Sequence, residues 1–331
     1  MSANPSPKPP TALLTGHTGF LGKYLARSLT ETGYRVLTLG RTEGDIRTDL
    51  ATQQPDLSGN VINLVVHAAG KAHSLPRSTE ESQVFFQVNR DGTRRLLQAL
   101  ELLKKRPDAL VLISTVAVYG CETGEKISEE VTLSGKTPYA ESKIQAEALV
   151  QTWCAQQGVR CCILRLPLIV GADAPGNLGK MEQAIRRGRY VHIGAGSARR
   201  SMVRADDVAR MIPKAAQTGG IYNLTDGIHP SVRELGDALA RQIGRRMIPT
   251  VPIGFARILA RLGDGINGVI GRKFPFDSIT LEKMTGSLTF SDQLAREKIG
   301  WQPRSVLSFF APDSDIDRNF IQPSDKRGQT Y

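Results

Sequence analysis

A glycine-rich turn near the beginning of the chain constrains the fold more than any other feature. Residues 15–22 read T-G-H-T-G-F-L-G, so glycines stand at positions 16, 19 and 22. The apolar residues 12–14 predict a short buried strand before this turn, and the apolar spacing of residues 23–32 predicts a helix after it. Glycines at this spacing permit a tight turn, close approach of the backbone to a pyrophosphate, and close packing of helix on strand. The stretch therefore predicts a dinucleotide site with the phosphates at the helix N-terminus.

The first half of the sequence continues to alternate between strand and helix patterns. A helix is predicted over residues 79–105, and another begins at Thr137, a good N-cap residue that is followed by proline. Apolar runs predict further strands at residues 35–39, 46–50, 61–66 and 109–113. This alternation is typical of a doubly wound parallel α/β sheet, the Rossmann arrangement.

The length of 331 residues suits one compact unit with two lobes. We expect a dinucleotide-binding Rossmann domain over residues 11–170 and a smaller C-terminal α/β substrate lobe over most of residues 171–310. The part at about residues 200–225 should return to the Rossmann sheet. Residues 1–10 and 311–331 are expected to be flexible tails.

The charge is distributed unevenly and limits the classes of partner. The formal net charge is +11, and residues 151–331 carry 26 Lys and Arg against 16 Asp and Glu. The arginines are scattered, with no aromatic interleaving and no basic helix face, so we expect an anionic small molecule rather than nucleic acid as the partner. No apolar segment approaches about 20 residues, so no membrane-spanning helix is expected.

Four cysteines are present, and their spacing does not match a metal site. We therefore expect no bound metal, and free thiols in a chain that works in the cytoplasm. Cys161 and Cys162 are neighbours in a predicted strand, so their side chains should point to opposite faces of the sheet.

Residues after the second predicted strand bear on which dinucleotide binds. An acid near this point accepts hydrogen bonds from the adenosine ribose of NAD, whereas an arginine suits the 2′-phosphate of NADP. Arg41 therefore favours NADP, while Glu43 and Asp45 keep NAD open. Asp49 and Leu50 follow and are placed to face the adenine.

A further group of candidates lies at the carboxyl end of a strand, where such sheets bind their ligands. Residues 67–70 read H-A-A-G, and the small side chains let a cofactor approach the backbone. Lys71 and His73 follow directly and should face the substrate. His73 is a candidate proton donor, and an ordinary surface histidine is the alternative that the residues favour.

Tyr139 and Lys143 lie four residues apart on a predicted helix and therefore share one face. An unperturbed phenol, with a pKa of about 10, is a poor base at neutral pH. A nearby ammonium and a positive nicotinamide ring would stabilise the phenolate and lower that pKa. With Thr115 at the end of an adjacent predicted strand, the pair indicates proton transfer coupled to hydride transfer.

Together these motifs resemble the extended short-chain dehydrogenases/reductases, in the NAD-dependent epimerase/dehydratase family that acts on nucleotide sugars. The resemblance extends over almost the whole chain. It rests on T-G-H-T-G-F-L-G at 15–22, H-A-A-G at 67–70, V-N-R-D-G-T at 88–93, S-T-V-A-V-Y-G at 114–120, Y-A-E-S-K at 139–143, L-R-L-P-L-I-V-G at 164–171 and G-W-Q-P at 300–303.

The resemblance implies roles for individual residues. Thr115 and Tyr139 polarise and deprotonate a sugar hydroxyl, and Lys143 holds the nicotinamide ribose. The cofactor, NAD or NADP, is expected to contact Gly16, Thr18, Gly19, Phe20, Leu21, Gly22, Arg41, Asp49, Leu50, His67, Ala68, Ala69, Gly70, Asn89, Tyr139, Lys143 and Pro167. A nucleotide-sugar substrate, expected to be UDP-linked, should contact Lys71, His73, Thr115, Asn177, Leu178 and Arg200. A homodimer is also expected.

Three stretches of the second half leave alternatives open. Arg200 is implied to bind the diphosphate bidentately, with a solvated basic loop as the alternative. The family's second diphosphate contact has no clear counterpart, and Arg272 and Lys273 are candidates to replace it. Residues 255–270 are expected to form a lid over the sugar, with a membrane-surface helix as the alternative.

The residues after Thr115 narrow the reaction. By the resemblance, 4,6-dehydratases carry Asp-Glu at this point, whereas this chain has Val116 and Ala117, which cannot transfer protons. We therefore expect a nucleotide-sugar 4-epimerase that forms a transient 4-keto sugar with Tyr139 as acid and base, in polysaccharide biosynthesis. An NADPH-dependent 4-keto reductase is the alternative, favoured by Arg41. A non-catalytic NADP sensor is the alternative of a different class, and the intact catalytic set argues against it.

Overall fold

The fold is built on thirteen short strands in the part of the chain that the computed structural model describes. That part is residues 8–311 except 73–75, 77, 246 and 271–275, with only the backbone of 268–270. The strands are β1 (Thr11–Thr15), β2 (Arg35–Gly40), β3 (Ile46–Arg47), β4 (Leu64–His67), β5 (Ala109–Thr115), β6 (Gly124–Ile127), β7 (Arg160–Leu166), β8 (Leu168–Val170), β9 (His192–Ile193), β10 (Met202–Arg204), β11 (Gly220–Asn223), β12 (Thr250–Val251) and β13 (Leu288–Phe290).

Seven of these strands form one parallel sheet in the order β11-β7-β5-β4-β1-β2-β3. The chain runs outward in one direction from β1 and in the other direction from β4, so the order reverses between these two strands. In a doubly wound sheet, ligands bind outside the carboxyl ends of the strands at this reversal. The predicted Rossmann architecture is therefore confirmed, and the glycine turn follows β1 at the reversal itself.

Helices cover both faces of the sheet and extend into the smaller second layer. They are α1 (Phe20–Glu31), α2 (Thr79–Phe85), α3 (Gly92–Glu101), α4 (Pro138–Gln157), α5 (Asn177–Arg186), α6 (Ala205–Thr218), α7 (Val232–Gln242), α8 (Ile253–Ile270), α9 (Ser278–Thr285) and α10 (Gln293–Ile299). One core cluster joins α1 and α6 to the sheet, and another joins α3 and α4 to its other face. Cys162 packs in the first cluster and Cys161 against the second, so their predicted opposite orientation is confirmed.

The predicted helical segment over residues 79–105 is helical from Thr79 to Glu101, but the type of helix changes in its middle. A π-helical segment, Phe86–Asp91, separates α2 from α3 and contains Asn89. Thr93 donates a hydrogen bond from Oγ1 to the Asn89 carbonyl oxygen at 2.5 Å, one turn back. Short π-helical insertions of this kind occur mostly at functional sites. The predicted third strand is also shorter than expected and ends at Arg47, because the Asp49 carboxylate accepts from the Ala51 amide at 2.9 Å and closes a turn.

The local signals for helix ends agree with the structure. Thr137 caps α4 by accepting from the Ala140 amide at 3.2 Å, and Pro138 occupies the first turn. Ser231 and Glu234 form the reciprocal capping box at the start of α7 that their spacing predicts.

The second half forms a smaller layer of paired strands and helices. Three two-stranded parallel pairs, β8 with β10, β9 with β12, and β6 with β13, lie outside the large sheet. A separate apolar cluster holds α5 and α7 together with the 3-10 segment Val306–Phe310. Within the described ranges, no helix has the length and hydropathy to cross a bilayer.

Candidate active site

The glycine turn is packed so tightly that larger side chains would collide with backbone. Gly16 has a φ of +75°, and a Cβ there would lie 2.6 Å from the Ala69 amide nitrogen. A Cβ on Gly22 would lie 2.0 Å from the Gly16 carbonyl oxygen. Gly19 caps α1 without a side-chain acceptor, and the first turn of α1 carries no acid. The helix end therefore presents amide donors and a positive dipole end, which fits a dinucleotide phosphate.

The end of β2 carries the groups that distinguish NAD from NADP. Arg41 is exposed and makes no hydrogen bond or ion pair with any described residue. Asp45 instead accepts from the Thr38 amide at 2.8 Å and from the Thr38 hydroxyl at 2.7 Å, and these hydrogen bonds lower the pKa of its carboxyl. His17 lies against Gly40, and its Nδ1 is buried with no hydrogen-bond partner among the described residues. The exposed Arg41 guanidinium suits an anionic group at this end of the cofactor.

His67 is held in one neutral form by two threonines. Its Nδ1 lies 2.7 Å from the Thr15 hydroxyl and its Nε2 lies 2.9 Å from the Thr93 hydroxyl. The Thr93 proton is already donated to the Asn89 carbonyl, so Nε2–H must donate to Thr93 and Thr15 must donate to Nδ1. Burial, together with the positive charge of Lys143, lowers the pKa of His67 to about 3. His67 therefore fixes the turn after β4 and keeps no free nitrogen for chemistry.

Asn89 clamps that same turn to the helix that carries the predicted base. Its Oδ1 accepts from the Lys71 amide at 2.8 Å, and its Nδ2 donates to the Lys71 carbonyl at 3.1 Å. Nδ2 also donates to the Ser142 hydroxyl at 2.9 Å, on α4 beside Lys143. A surface amide, the ordinary expectation for an Asn in a helix, is excluded because Asn89 is buried. The clamp brings residues 68–71 and α4 together, as the prediction of a shared cofactor site requires.

Thr115 and Tyr139 meet at the carboxyl end of β5. The Thr115 hydroxyl lies beside the Tyr139 phenol and acts to lower its pKa, and Thr115 Oγ1 accepts from the Ala117 amide at 3.2 Å. The Tyr139 ring lies 6.1 Å from that of Phe85, which also carries the Lys71 ammonium 5.4 Å above its centroid. These contacts place a hydroxyl, a phenol and a cation in one small region, with an aromatic ring between the last two.

The lowered pKa predicted for Tyr139 depends on Lys143 together with a bound nicotinamide, and it stays a prediction for the cofactor complex. In the free protein, burial raises the pKa of the Tyr139 phenol, and Thr115 opposes that rise. The Lys143 Nζ donates to the Ile113 carbonyl at 2.8 Å, and burial lowers the pKa of Lys143 itself to about 8, against the attraction of Glu147. Desolvation is therefore the largest influence on the pKa of both groups.

A buried polar network behind Lys143 was not predicted from the sequence. Glu147, one turn after Lys143, accepts from the Arg165 Nη2 at 2.8 Å and from the Ser114 hydroxyl. Arg165 Nη1 donates to the Tyr119 hydroxyl at 3.0 Å. The signal that could have found this network is an arginine inside the apolar run of β7, where a charge must have a buried partner.

Other predicted contacts lie at the edges of the site or apart from it. Pro167 follows β7 at the same edge of the sheet as Tyr139. Asn177 is exposed at the start of α5, whereas Leu178 is buried in the core of the second layer. The Arg200 guanidinium donates to the carbonyl oxygens of Lys283 and Gly286 at the end of α9.

Two further predicted groups cannot be placed. His73 lies outside the described residues, as do Arg272 and Lys273. Of the remaining cofactor candidates, Thr18 is exposed on the glycine turn, Leu21 is buried in α1, and Leu50 is buried beside Gly92.

A separate cavity of about 190 Å³ opens in the second layer, and Tyr139 is not among the residues that line it. Its walls include the loop Gly194–Ala198, which leads into Arg200, together with Met284 and Thr285 at the end of α9. In the parts of the chain that can be described, no three His, Cys, Asp or Glu side chains are grouped so as to hold a metal ion.

Helix α1 also connects the glycine turn to the first residues beyond β8. The Ala172 amide donates to the Tyr24 hydroxyl at 2.9 Å. A Cβ on Gly171 would lie 2.8 Å from the Tyr24 hydroxyl oxygen and 2.9 Å from the Phe20 ring. The helix that begins at the predicted phosphate site therefore touches the entrance to the second layer.

Comparison with known proteins agrees with this geometry. The model of the NAD dependent epimerase/dehydratase family matches residues 12–225. The chain belongs to this family. It is accordingly an NAD(P)-dependent enzyme of the extended short-chain dehydrogenase/reductase type, and its cofactor is NAD or NADP.

Relatives with assigned activities include both reductases and epimerases. The GDP-6-deoxy-D-mannose reductase of Pseudomonas aeruginosa is 28% identical over 247 residues, which cover 69% of this chain and 78% of the relative. The UDP-glucose 4-epimerase of Vibrio cholerae is 25% identical over 323 residues, which cover 90% of this chain and 92% of the relative. The structure of RMD from Pseudomonas aeruginosa with NADPH has the same fold, with a TM-score of 0.69, 22% identity, and coverage of 91% of this chain and 96% of that one.

Proposed function

We propose that this protein reduces the C4 keto group of a nucleotide-linked sugar, with NADPH as the hydride donor and Tyr139 as the proton donor. The observation that carries the proposal is the position of the Thr115 hydroxyl beside the Tyr139 phenol at the ligand-binding edge of the sheet, where it acts to lower the pKa of that phenol. Two neighbouring hydroxyls can bind one substrate oxygen and exchange one proton with it. The reductase among the relatives, which acts on a sugar attached to GDP, supports the same class of reaction.

Tyr139 is suited to donate a proton when a carbonyl is reduced. Burial raises the pKa of the phenol, so Tyr139 is protonated at neutral pH. A protonated phenol can donate to the oxygen that gains negative charge as a carbonyl is reduced. The nicotinamide supplies the hydride when it is bound, and the residues of this chain supply the proton and hold the oxygen.

The choice of NADPH rests on the end of β2. Arg41 is exposed and unpaired among the described residues, and the buried Nδ1 of His17 lacks a partner. Asp45 is engaged by Thr38. The 2′-phosphate of NADPH would give Arg41 the anionic partner that it lacks among the described residues.

The residues after Thr115 argue against a dehydratase. Val116 and Ala117 continue directly from the catalytic threonine into a 3-10 turn, and neither side chain can give or accept a proton. Elimination of water needs such a group near the sugar, because a proton must leave carbon and another must reach the departing hydroxyl. Hydride exchange at C4 needs only the Thr115, Tyr139 and Lys143 set.

A 4-epimerase is the second candidate, because the same three groups can run the hydride step in both directions. The relative from Vibrio cholerae, a UDP-glucose 4-epimerase, matches nearly the full length of this chain and supports it. We infer that the cavity beside Gly194–Ala198 would hold the nucleotide in either reaction, with UDP as the first nucleotide to test.

The decisive experiment follows deuterium from NADPH labelled at C4 of its nicotinamide. The purified protein is incubated with UDP- or GDP-linked 4-keto-6-deoxyhexoses, and the sugar product is examined by NMR. Reduction consumes NADPH and places deuterium at C4 of the sugar. For epimerisation, UDP-glucose or UDP-N-acetylglucosamine is converted to its C4 epimer with no net change in nicotinamide absorbance.

Two results would contradict the proposal. Interconversion of UDP-hexoses without NADPH consumption would establish the epimerase instead. NADPH binding with no turnover of any nucleotide sugar would favour a non-catalytic sensor, which has no use for a proton-transfer group at Tyr139.

A further inference from the structure

Helix α8 buries small residues and exposes large apolar ones. Ala256 and Ala260 are buried, whereas Phe255, Ile258 and Leu262 are 55%, 59% and 60% exposed. An amphipathic helix of a self-contained protein is expected to do the reverse, because burial of large apolar side chains is what stabilises its packing. Helix α8 therefore presents an apolar surface that the described chain does not cover.

The exposed apolar residues form one stripe along the helix. At about 100° per residue, their positions fall within roughly a third of the helix circumference. We name this stripe the α8 apolar face, and it consists of Phe255, Ile258, Leu259, Leu262 and Ile266. The residues that attach α8 to the second layer lie on a different side, where Ala256 and Ala260 pack with Leu281 of α9. The α8 apolar face is therefore not an extension of the internal packing.

The side of α8 that faces away from this stripe is basic. Arg257 and Arg261 lie about 150° and about 110° from the centre of the stripe at 100° per residue. Both are exposed, and neither makes an ion pair or hydrogen bond with a described residue. Asp264, the acid of the helix, is exposed and accepts from the Ser278 amide at 3.1 Å and from the Ser278 hydroxyl at 2.5 Å. The helix thus combines an uncovered apolar stripe with two unneutralised positive charges.

We propose that the α8 apolar face docks this protein on an anionic membrane surface. A helix of this kind lies in the plane of the interface, with its apolar side chains among the upper acyl chains. Arginine stems can lie along apolar surface while their guanidinium groups reach the lipid phosphates. The proposal concerns attachment to a surface and agrees with the finding that no described helix can span a bilayer.

The charges favour a membrane over a second copy of this chain as the occupant. A two-fold contact through the α8 apolar face would bring together two copies of the more basic half of the chain, since residues 151–331 carry 26 Lys and Arg against 16 Asp and Glu. The chain as a whole carries a net charge of +11. Anionic headgroups neutralise such a charge, whereas a second copy repeats it.

The proposal does not depend on the proposed reaction, although it has a consequence for the second layer. The cavity of about 190 Å³ is lined by Ile253, the first residue of α8, and by Met284 of α9. Docking through the outer face of α8 would therefore hold this cavity close to the lipid surface.

The test is co-sedimentation of the full chain with vesicles, in low and high salt. One set contains phosphatidylcholine alone, and the other contains phosphatidylcholine mixed with phosphatidylglycerol. We expect binding to the anionic vesicles that weakens with salt. The variant F255S/I258S/L262S should lower the partition coefficient at least about a hundredfold, and R257Q or R261Q should each lower it about fivefold.

A matched control changes three equally exposed apolar residues elsewhere. The variant V61S/L102S/I228S replaces side chains that are 64%, 77% and 52% exposed and should bind vesicles like the native chain. Circular dichroism should be unchanged in both triple variants. Turnover of a water-soluble substrate should be unchanged in the control variant, whose residues lie outside both the catalytic site and the predicted lid.

Three outcomes would overturn the proposal. Failure of the native chain to sediment with anionic vesicles is the first, and equal loss of binding in the control variant is the second. The third is a stable dimer in solution that dissociates in F255S/I258S/L262S, because a second copy would then be what covers the face.

Discussion

The layer around the large sheet, which includes Tyr139 on α4, and the layer that contains α8 differ in the side chains that distinguish them. In the first layer, polar groups such as His67, Asn89 and Glu147 are buried, and each has hydrogen-bond partners. In the second layer, large apolar side chains such as Phe255 and Leu262 are exposed. Buried polar groups must find hydrogen-bond partners when the chain folds. Exposed large apolar side chains are buried only when a partner or a surface binds to them.

This difference matches a division of roles, with the expected catalytic groups in the first layer and the expected binding surfaces in the second. The groups expected to move a proton are held by contacts that the chain makes with itself, so they are in place before any ligand arrives. The groups expected to recognise a substrate or a surface still lack part of their surroundings. Substitutions in the first region should therefore have large effects on the catalytic rate or on the free energy of unfolding. Substitutions in the second region should have smaller effects, mainly on binding.

The largest effect is expected from Tyr139→Phe. Removing the phenol hydroxyl removes the proton donor, and kcat should fall about a thousandfold while NADPH binding is retained. Stopped-flow nicotinamide absorbance and fluorescence titration measure the two quantities. Tyr34→Phe, at a tyrosine outside the site, is the control. A native kcat in the Tyr139→Phe variant would show that the Tyr139 hydroxyl is not the proton donor.

The next largest effect concerns stability and is expected from Glu147→Gln. This change leaves the buried Arg165 guanidinium without its carboxylate partner and should lower the free energy of unfolding by about 3 kcal/mol. Urea denaturation measures it, with the exposed Glu141→Gln on the same helix as control. If both variants unfold alike, the buried network has no special role in the sheet.

The pH dependence of kcat/KM should report Lys143. Its pKa is lowered to about 8 in the free protein, so the ammonium is present below that pH and lost above it. We expect kcat/KM to fall about tenfold per pH unit above the pKa, because the charge expected to hold the ribose disappears. A profile flat from pH 7 to about pH 10 would show that the charge of Lys143 is not needed.

A smaller effect is expected from Arg41→Ala. Loss of one guanidinium at the adenosine end should raise KM for NADPH about tenfold and leave that for NADH unchanged. Arg47→Ala, another exposed arginine at the end of β3, is the control. Equal effects on both dinucleotides would mean that Arg41 does not contact a 2′-phosphate.

The smallest effect is expected in the second layer, from Ser231→Ala. This removes the cap of α7, where Ser231 accepts from the Glu234 amide at 3.1 Å, and should cost about 1 kcal/mol of stability. Thermal or urea unfolding measures it beside Glu147→Gln. If Ser231→Ala lowered the free energy of unfolding as much as Glu147→Gln does, the two regions would not differ in their sensitivity to substitution.

Sequence patterns were sufficient for the features that depend on neighbours along the chain. The glycine turn, the Thr137 cap and the Ser231 capping box follow from local spacing, and the doubly wound parallel sheet follows from the alternation of strands with helices. The family motifs extended this to the expected catalytic set of Thr115, Tyr139 and Lys143.

Features that depend on distant contacts were not accessible in the same way. The neutral form of His67 requires Thr15 and Thr93, which lie 52 and 26 positions away. The raised pKa of Tyr139 requires knowledge of its burial, which no spacing reveals. The π-helical segment at Asn89 was missed because its residues are ordinary helix formers.

The hydrogen bond between the Ala172 amide and Tyr24 joins the helix at the phosphate end to the first residues past β8. If a dinucleotide shifted that helix, this bond would carry the shift to the mouth of the neighbouring layer. Binding at the two places would then be linked, and linkage is reciprocal: whatever factor the first ligand applies to the affinity of the second, the second applies to the first. The hydroxyl of one tyrosine would thus let each ligand change the affinity for the other, whichever of them binds first.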